Sequence, residues 1–371
     1  MKAVILTCNI GGGHNSAAKA LCRELESRGI PCDIADALSF GPPCFSKAVS
    51  GLHTFGYRHF PRVYGMGYRQ KEKHRPHGGD CIEYRINTVC VPRLYRFLCT
   101  GGYDIILAPH VFPAQMLTCI RRRHPDAPWR SWFIATDYTC SPGVGEIDPD
   151  GWIIPDARLC GEFITCGVPA GRLYPLGIPT AAAFDRLTSP EEARTRLHLP
   201  AKGPIVLVMS GSIGCGPIRS LVLQMVRCLP RDTSVVVLCG NNKKQLADLK
   251  RIARQNRNII PVGFTDQIPL YLRAADAVIT KPGGLSSTEI ARCGVPTVFL
   301  LSVPGCESRN FTFFTENGMA LGAKTVRSAI RQMLHLLSHS DTCRRIVTAQ
   351  QSLPGGAAGA ICDLVTASPS V

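Results

Sequence analysis

The stretch that most constrains this chain is residues 275–310, ADAVITKPGGLSSTEIARCGVPTVFLLSVPGCESRN. Ala277 to Thr280 is an apolar run long enough for a buried strand and too short for a helix. Lys281-Pro282-Gly283-Gly284 breaks it, because proline brings no N–H to a ladder and glycine admits close backbone approach. Ser286-x-x-Glu289 then predicts a helix opened by a capping box and stopped at Gly294. Val295 to Leu301 reads as a second buried strand. Strand, glycine turn, helix and strand make one βαβ unit, in which ligands collect at the strand's carboxyl end against the helix N-terminus. Glu289 has two readings here. It is either the capping-box partner of Ser286 or a carboxylate that accepts from the paired hydroxyls of a ribose.

The same grammar occurs at two other places. Ala3 to Cys8 is a strand that meets Asn9-Ile10-Gly11-Gly12-Gly13-His14, and Ala17, Ala18, Leu21 and Leu25 predict a helix over Asn15 to Arg28. Three glycines alone are a weak signal: there is no G-x-G-x-x-G, and no P-loop lysine follows. His14 is either a helix-start histidine that satisfies backbone or a general base at the mouth of a sheet, held neutral by the helix N-terminus. Pro204 to Ser210 is a fresh first strand running into Gly211, Ser212, Ile213 and Gly214, with Pro217 expected at the first helical position. That turn is either an ordinary strand-to-helix connection or a cradle whose N–H groups face a diphosphate. Strands at Tyr103 to Ala108 and Ser131 to Thr136 end at His110 and Asp137. His110 is either a hydrogen-bonded loop histidine or part of an acceptor site, and Asp137 is expected to contact His14 or the acceptor.

Composition narrows the class. The chain has 371 residues, enough for two domains, and a net charge of +15. A basic balance suits a nucleotide ligand, a nucleic acid or an anionic membrane. The charge is densest in residues 42–79, where seven Lys and Arg face a single Glu and Phe45, Phe55, Tyr57, Phe60, Tyr64 and Tyr68 are interleaved. This stretch reads as a core insertion, a lipid-facing surface or a nucleic-acid face. The 18 cysteines contain no Cys-x-x-Cys, so zinc-ribbon and thioredoxin readings fail and free thiols in a reducing cytoplasm are expected. The chain runs straight into its first strand with no signal peptide, and no apolar run reaches the length of a membrane span.

Two strings carry a family resemblance. TCNIGGGHNSAAKAL resembles the first motif of diacylglycerol glycosyltransferases, G-G-G-H-x-S-A-A-x-A-L. Glu289, Gly294, Pro296 and Asn310 match the donor-site pattern of family 28 glycosyltransferases, T-x-E-x-x-x-x-G-x-P followed by a polar loop ending in Asn, with Thr288 directly before Glu289 where the pattern spaces the two by one residue. That family includes the monogalactosyldiacylglycerol synthases and, more distantly, the peptidoglycan lipid II-forming N-acetylglucosaminyltransferase. The resemblance implies an α/β GT-B fold, with two Rossmann-like doubly wound domains facing a cleft. It implies an acceptor and membrane domain over 1–175, a UDP-sugar domain over 176–340, and a terminal helix and tail over 341–371 returning towards the first domain. It carries His14 over as the acceptor-side base, beside an acceptor loop of Gly11, Gly12 and Gly13, while Asp137 and His110 at neighbouring strand ends are the competing catalytic candidates. Its donor set would be Gly211, Ser212, Ile213, Gly214, Phe264, Thr265, Gly283, Gly284, Ser286, Ser287, Thr288, Glu289, Glu307 and Asn310. Within it Glu289 would hold the ribose, Glu307 the donor sugar, and the Phe264–Thr265 segment the uracil. Arg58, Arg62, Arg69, Lys71 and Lys73 would meet an anionic membrane at the inner face of the cell membrane. The reaction implied is inverting transfer of glucose or galactose from a UDP-sugar to diacylglycerol, with no metal, no other cofactor and no nucleic-acid partner. Relatives usually carry Gln-Glu where this chain has Cys306-Glu307. The alternatives are a UDP-N-acetylglucosamine transferase to another lipid, a GT-B UDP-sugar epimerase, and a non-enzymatic nucleotide- or nucleic-acid-binding module.

Overall fold

A computed structural model describes all residues except 9–11, 61–64, 67–69, 71–88, 187, 212–215, 302–304 and 368–371. The chain divides into two compact units, Met1–Ala181 with Pro354–Val371, and Ala182–Leu353.

The first unit is built on a six-stranded parallel sheet of β1 (Ala3–Thr7), β2 (Cys32–Asp36), β3 (Ile105–Ala108), β4 (Arg130–Ile134), β5 (Gly151–Ile153) and β6 (Leu173–Tyr174), in the order β2-β1-β3-β4-β5-β6. Every pairing is parallel. Strands buried on both faces explain why β1 and β3 are unbroken apolar runs rather than alternating ones. Helix α1 (Gly12–Ser27) covers one face through Ala18, Leu21, Cys22 and Leu25, which pack with Ile5, Ile105 and Leu107. α1 starts at Gly12, earlier than its apolar spacing predicts, because Gly12 and Gly13 are themselves helical. Helix α2 (Phe45–His59) and helix α3 (Val91–Gly101) follow β2, and α4 (Val111–Arg123) follows β3.

The second unit repeats the plan with β7 (Ile205–Met209), β8 (Ser234–Leu238), β9 (Ile259–Val262), β10 (Ala277–Thr280), β11 (Thr297–Leu300) and β12 (Leu321–Ala323), ordered β12-β11-β10-β7-β8-β9. In each sheet the unit's first strand lies inside, with a later strand on one side and its successor on the other. This is the switch point at which open α/β sheets bind ligands. Helix α7 (Ile218–Cys228) follows β7, with α5 (Cys160–Thr165) and α6 (Pro190–Arg196) lying earlier in the chain. Pro217 caps α7 rather than occupying its first turn. Between β8 and β10 run α8 (Lys243–Ala253) and α9 (Ile268–Ala274); α10 (Gly284–Cys293) joins β10 to β11, and α11 (Cys306–Glu316) joins β11 to β12.

Three helices close the chain: α12 (Val326–Ser338), α13 (Ser340–Gln350) and α14 (Ala357–Thr366). α13 belongs to the second unit, where Gln350 donates to the carbonyls of Val295 and Met319. The helix of the first unit is instead α14, after the Pro354-Gly355-Gly356 break. Its Ile361, Cys362 and Val365 join the first core, and Arg28 bonds Asp363 and the Gly359 carbonyl. Arg130, in β4, donates to the Val365 and Ala367 carbonyls at that helix's end, where a cation is favoured.

Candidate active site

In the first unit the chemistry gathers at the carboxyl ends of β1, β3 and β4. Thr7, the last residue of β1, donates its hydroxyl to Asn15 Oδ1 at 2.6 Å, which ties the strand to the first turn of α1. His14, half-buried in that turn, has its Nδ1 2.8 Å from the Pro109 carbonyl and 2.9 Å from the Thr136 hydroxyl. A carbonyl only accepts, so Nδ1 carries the proton and Nε2 is left with its lone pair. No described residue bonds Nε2. Burial pushes the pKa of His14 below its ordinary 6.5, against the opposing pull of the Asp137 charge and the Pro109 carbonyl. The ring is therefore neutral near pH 7, with a carboxylate near enough to favour the imidazolium once it forms.

His110 lies beside it, with ring centroids 4.6 Å apart at 84°. Its own Nδ1 is already used: it caps α4 by accepting from the Phe112 N–H at 3.1 Å. His110 thus holds the opposite tautomer, and it would have to give up the cap to take a proton there. Of the two histidine candidates, His14 is the one whose basic nitrogen bonds no described residue. Gly12 and Gly13 open α1 beneath it, while Gly11 is outside the described residues. Thr136 and the Pro109 carbonyl, which orient the ring, have no sequence signature beyond their places at two strand ends.

In the second unit, the turn after β10 does not follow the capping-box expectation. α10 begins at Gly284 with Gly283 as its cap, so Ser286 is already inside the helix and Glu289 stands in its second turn. The correction has a consequence for Glu289. With 8% of its surface exposed, it makes no hydrogen bond or ion pair with any described residue. Burial pushes its pKa from 4.5 up to about 8. Next to it in sequence, Ser287 is 1% exposed and its hydroxyl has no partner, whereas the Thr288 hydroxyl bonds back to the Gly284 carbonyl at 2.9 Å. A carboxyl group held dry without a partner is costly, and such groups collect at ligand sites.

α11 supplies the remaining polar groups. Asn310 is wholly buried, and its amide donates to the Pro282 carbonyl at 3.0 Å, so it braces the glycine turn. Glu307, 5% exposed in the first turn, forms an ion pair with Lys281. An open pocket lies at the carboxyl ends of β7, β10 and β11 and the start of α7, lined by Met209, Gly216, Pro217, Thr280, Lys281 and Leu300 among others. Gly211, in the turn after β7, has φ +68°, a left-handed conformation that suits glycine. Ser212, Ile213 and Gly214 are outside the described residues. After β9, Phe264 is 71% exposed, and Thr265 accepts from the Gln267 N–H at 3.1 Å.

Arg62, Arg69, Lys71 and Lys73 also lie outside the described residues, and Arg58 is placed only as part of the α2 backbone. The same region exposes Leu52 (75%), Phe55 (54%), Phe60 (53%) and Met66 (63%), large apolar groups that a folded surface seldom presents together. Among the described residues no helix is long and apolar enough to cross a membrane.

Two parallel doubly wound units, each with its polar groups at the carboxyl ends of the strands, define a GT-B protein. Acinetobacter baumannii MurG superposes with a TM-score of 0.64 at 13% identity, over 98% of this chain and 99% of that one. The UDP co-structure of S. aureus MnaA does so with a TM-score of 0.64 at 14% identity, over 100% and 99%. A monogalactosyldiacylglycerol (MGDG) synthase family model matches residues 14–180, and a glycosyltransferase family 28 C-terminal domain model matches residues 205–311. A Staphylococcus epidermidis protein named processive diacylglycerol beta-glucosyltransferase is 24% identical over 92% of this chain and 86% of its own length. Along both units the chain thus resembles the family 28 glycosyltransferases of the monogalactosyldiacylglycerol synthase type.

Proposed function

We propose that this enzyme transfers a hexose from a UDP-sugar to the hydroxyl of diacylglycerol, with inversion, as a peripheral protein at an anionic membrane surface. The observation that carries the reading is Glu289: a carboxyl group that is dry, has no partner among the described residues and follows a glycine turn at the end of a central strand. The two hydroxyls of a ribose would supply the donors it lacks. The exposed Phe264 offers an apolar face to the uracil, and Glu307, in the first turn of α11, would face the donor sugar. His14 takes the acceptor proton at Nε2, with Pro109 and Thr136 fixing its tautomer and Asp137 stabilising the imidazolium. His110 serves by packing against that ring rather than as base. In the displacement the acceptor oxygen bonds to the sugar C1 as the C1–O bond to the diphosphate breaks. The electron pair stays on UDP, where backbone N–H groups of the glycine turns and helix starts receive the charge. This division of labour assigns no step to a metal.

Leu52, Phe55, Phe60 and Met66 support the membrane half of the reading, since aromatic and aliphatic groups settle among lipid headgroups while neighbouring Lys and Arg draw anionic lipid. The deciding experiment is a panel of UDP-glucose, UDP-galactose and UDP-N-acetylglucosamine with diacylglycerol in liposomes, with products separated by sugar number. Hexosyl-diacylglycerol from one UDP-hexose is expected. Turnover of UDP-N-acetylglucosamine without lipid would replace the reading with an epimerase, and transfer from it to a different lipid would replace the donor and acceptor.

A further inference from the structure

Lys281 was, from its sequence, no more than the residue that ends a strand. The fold gives it a different position. β10 pairs with β7 so that Thr280 lies opposite Met209, which brings the residues after both strands side by side. The lysine stem lies across Gly211: a Cβ built on that glycine would come 2.8 Å from Lys281 Cε. The ammonium pairs with Glu307, whose side chain is 6% exposed, while the lysine side chain keeps 22% exposure. Among the described residues lining the pocket at these strand ends, Lys281 is the only charged one. A half-buried pair of this kind adds little net stability over apolar packing, so stability alone is a poor reason for it.

We propose that Lys281 is the cation that receives the donor's β-phosphate and the charge left on it when the sugar departs, and that Glu307 holds the ammonium in place between turnovers. The proposal rests on the reading that the second unit takes a nucleoside diphosphate. In the step, the sugar C1–O bond breaks and its electron pair remains on the β-phosphate oxygen. Lys281 donates a hydrogen bond to that oxygen and keeps its proton. A lysine acts here as a point charge, as it does on phosphates generally.

The test is calorimetric titration of the full chain with UDP and with UMP, for wild type, Glu307→Gln and the double variant Lys281→Met/Glu307→Gln. The double variant leaves no orphaned carboxylate, so it avoids the folding defect expected of Lys281→Met alone. The expected result is that the double variant binds UDP about 10- to 100-fold more weakly than Glu307→Gln, the range of one charge-assisted hydrogen bond, while UMP loses several-fold less. Equal UDP affinity in those two variants would make the pair structural and overturn the proposal, and an equal loss for UDP and UMP would overturn the β-phosphate assignment. Wild type that binds neither ligand would remove the nucleotide reading itself, a different failure from the first two.

Discussion

Replacing Glu289 by glutamine should make the free enzyme more stable and its nucleotide site worse. The carboxyl group ionises near 4.5 when the chain is unfolded and at about 8 in the fold, because burial disfavours its charged form. Between those values the folded state holds a proton that the unfolded state has released, so stability falls as pH rises from 4.5 to 8. At about 1.4 kcal/mol per pH unit, the interval from 4.5 to pH 7 amounts to roughly 3 kcal/mol of lost stability. Glutamine has no such proton to lose. An unpartnered buried amide costs about 1–3 kcal/mol, which offsets part of the gain at pH 7 and leaves the pH dependence as the clearer signal. Denaturant unfolding at pH 5, 6, 7 and 8 should show the variant gaining on wild type by about 1 kcal/mol per unit as pH rises. UDP titrations should show the variant's affinity down by about 10- to 100-fold, since a charged acceptor is lost. Wild type should release protons on binding UDP at pH 7, because the ribose favours the carboxylate. A stability difference that is flat from pH 5 to 8 would refute the burial argument, and unchanged UDP affinity would refute the ribose assignment.

Three further outcomes follow from the geometry. His14→Ala should lower kcat by about 10² to 10⁴ while leaving UDP affinity near wild type, and wild-type kcat at saturating donor should have its acid limb below pH 6.5, where the lowered pKa puts it; a folding defect would damage both quantities. Gly211→Ala should destabilise the second unit by about 1–2 kcal/mol in thermal melts, because φ is +68° and the new methyl group meets Lys281. Replacing Leu52, Phe55 and Phe60 by serine should reduce sedimentation with anionic vesicles without changing the melting temperature, since these groups are exposed and contribute little to the core; equal sedimentation would make the patch incidental.

The sequence disclosed those features that depend on one local pattern. Both first strands and the helix after each are visible because a buried strand in a parallel sheet is a short apolar run and the glycines that follow it mark its end in sequence. Glu289 was legible as a choice between two roles, and the choice depended on one register: a helix starting at Gly284 rather than Ser286 removes the capping box. Gly283 takes the cap position in an extended conformation with no side-chain bond, so the serine that resembles a cap in sequence is displaced by the turn's own geometry. The last helix was missed because Gly355-Gly356-Ala357-Ala358-Gly359 has the composition of a tail, and only packing against α1 makes it helical.

What stayed hidden are roles created by contacts between separate strand ends. Pro109 reveals its part only when β3 places its carbonyl against a histidine 95 residues earlier, and Thr136 only when β4 brings a hydroxyl to the same nitrogen from 122 residues away. Lys281 and Glu307 are 26 residues apart, and the helix and strand between them decide whether they meet. In a doubly wound unit every strand delivers its last residue to the same edge, so residues read singly as strand-enders become one constellation. That edge is also where backbone N–H groups of the next helices converge, so a charge placed there acts on whatever anion those groups bind. The histidine's free Nε2 and the lysine's ammonium are thus products of the same rule, one applied in each unit, and the tests of His14 and Lys281 address that rule from its two ends.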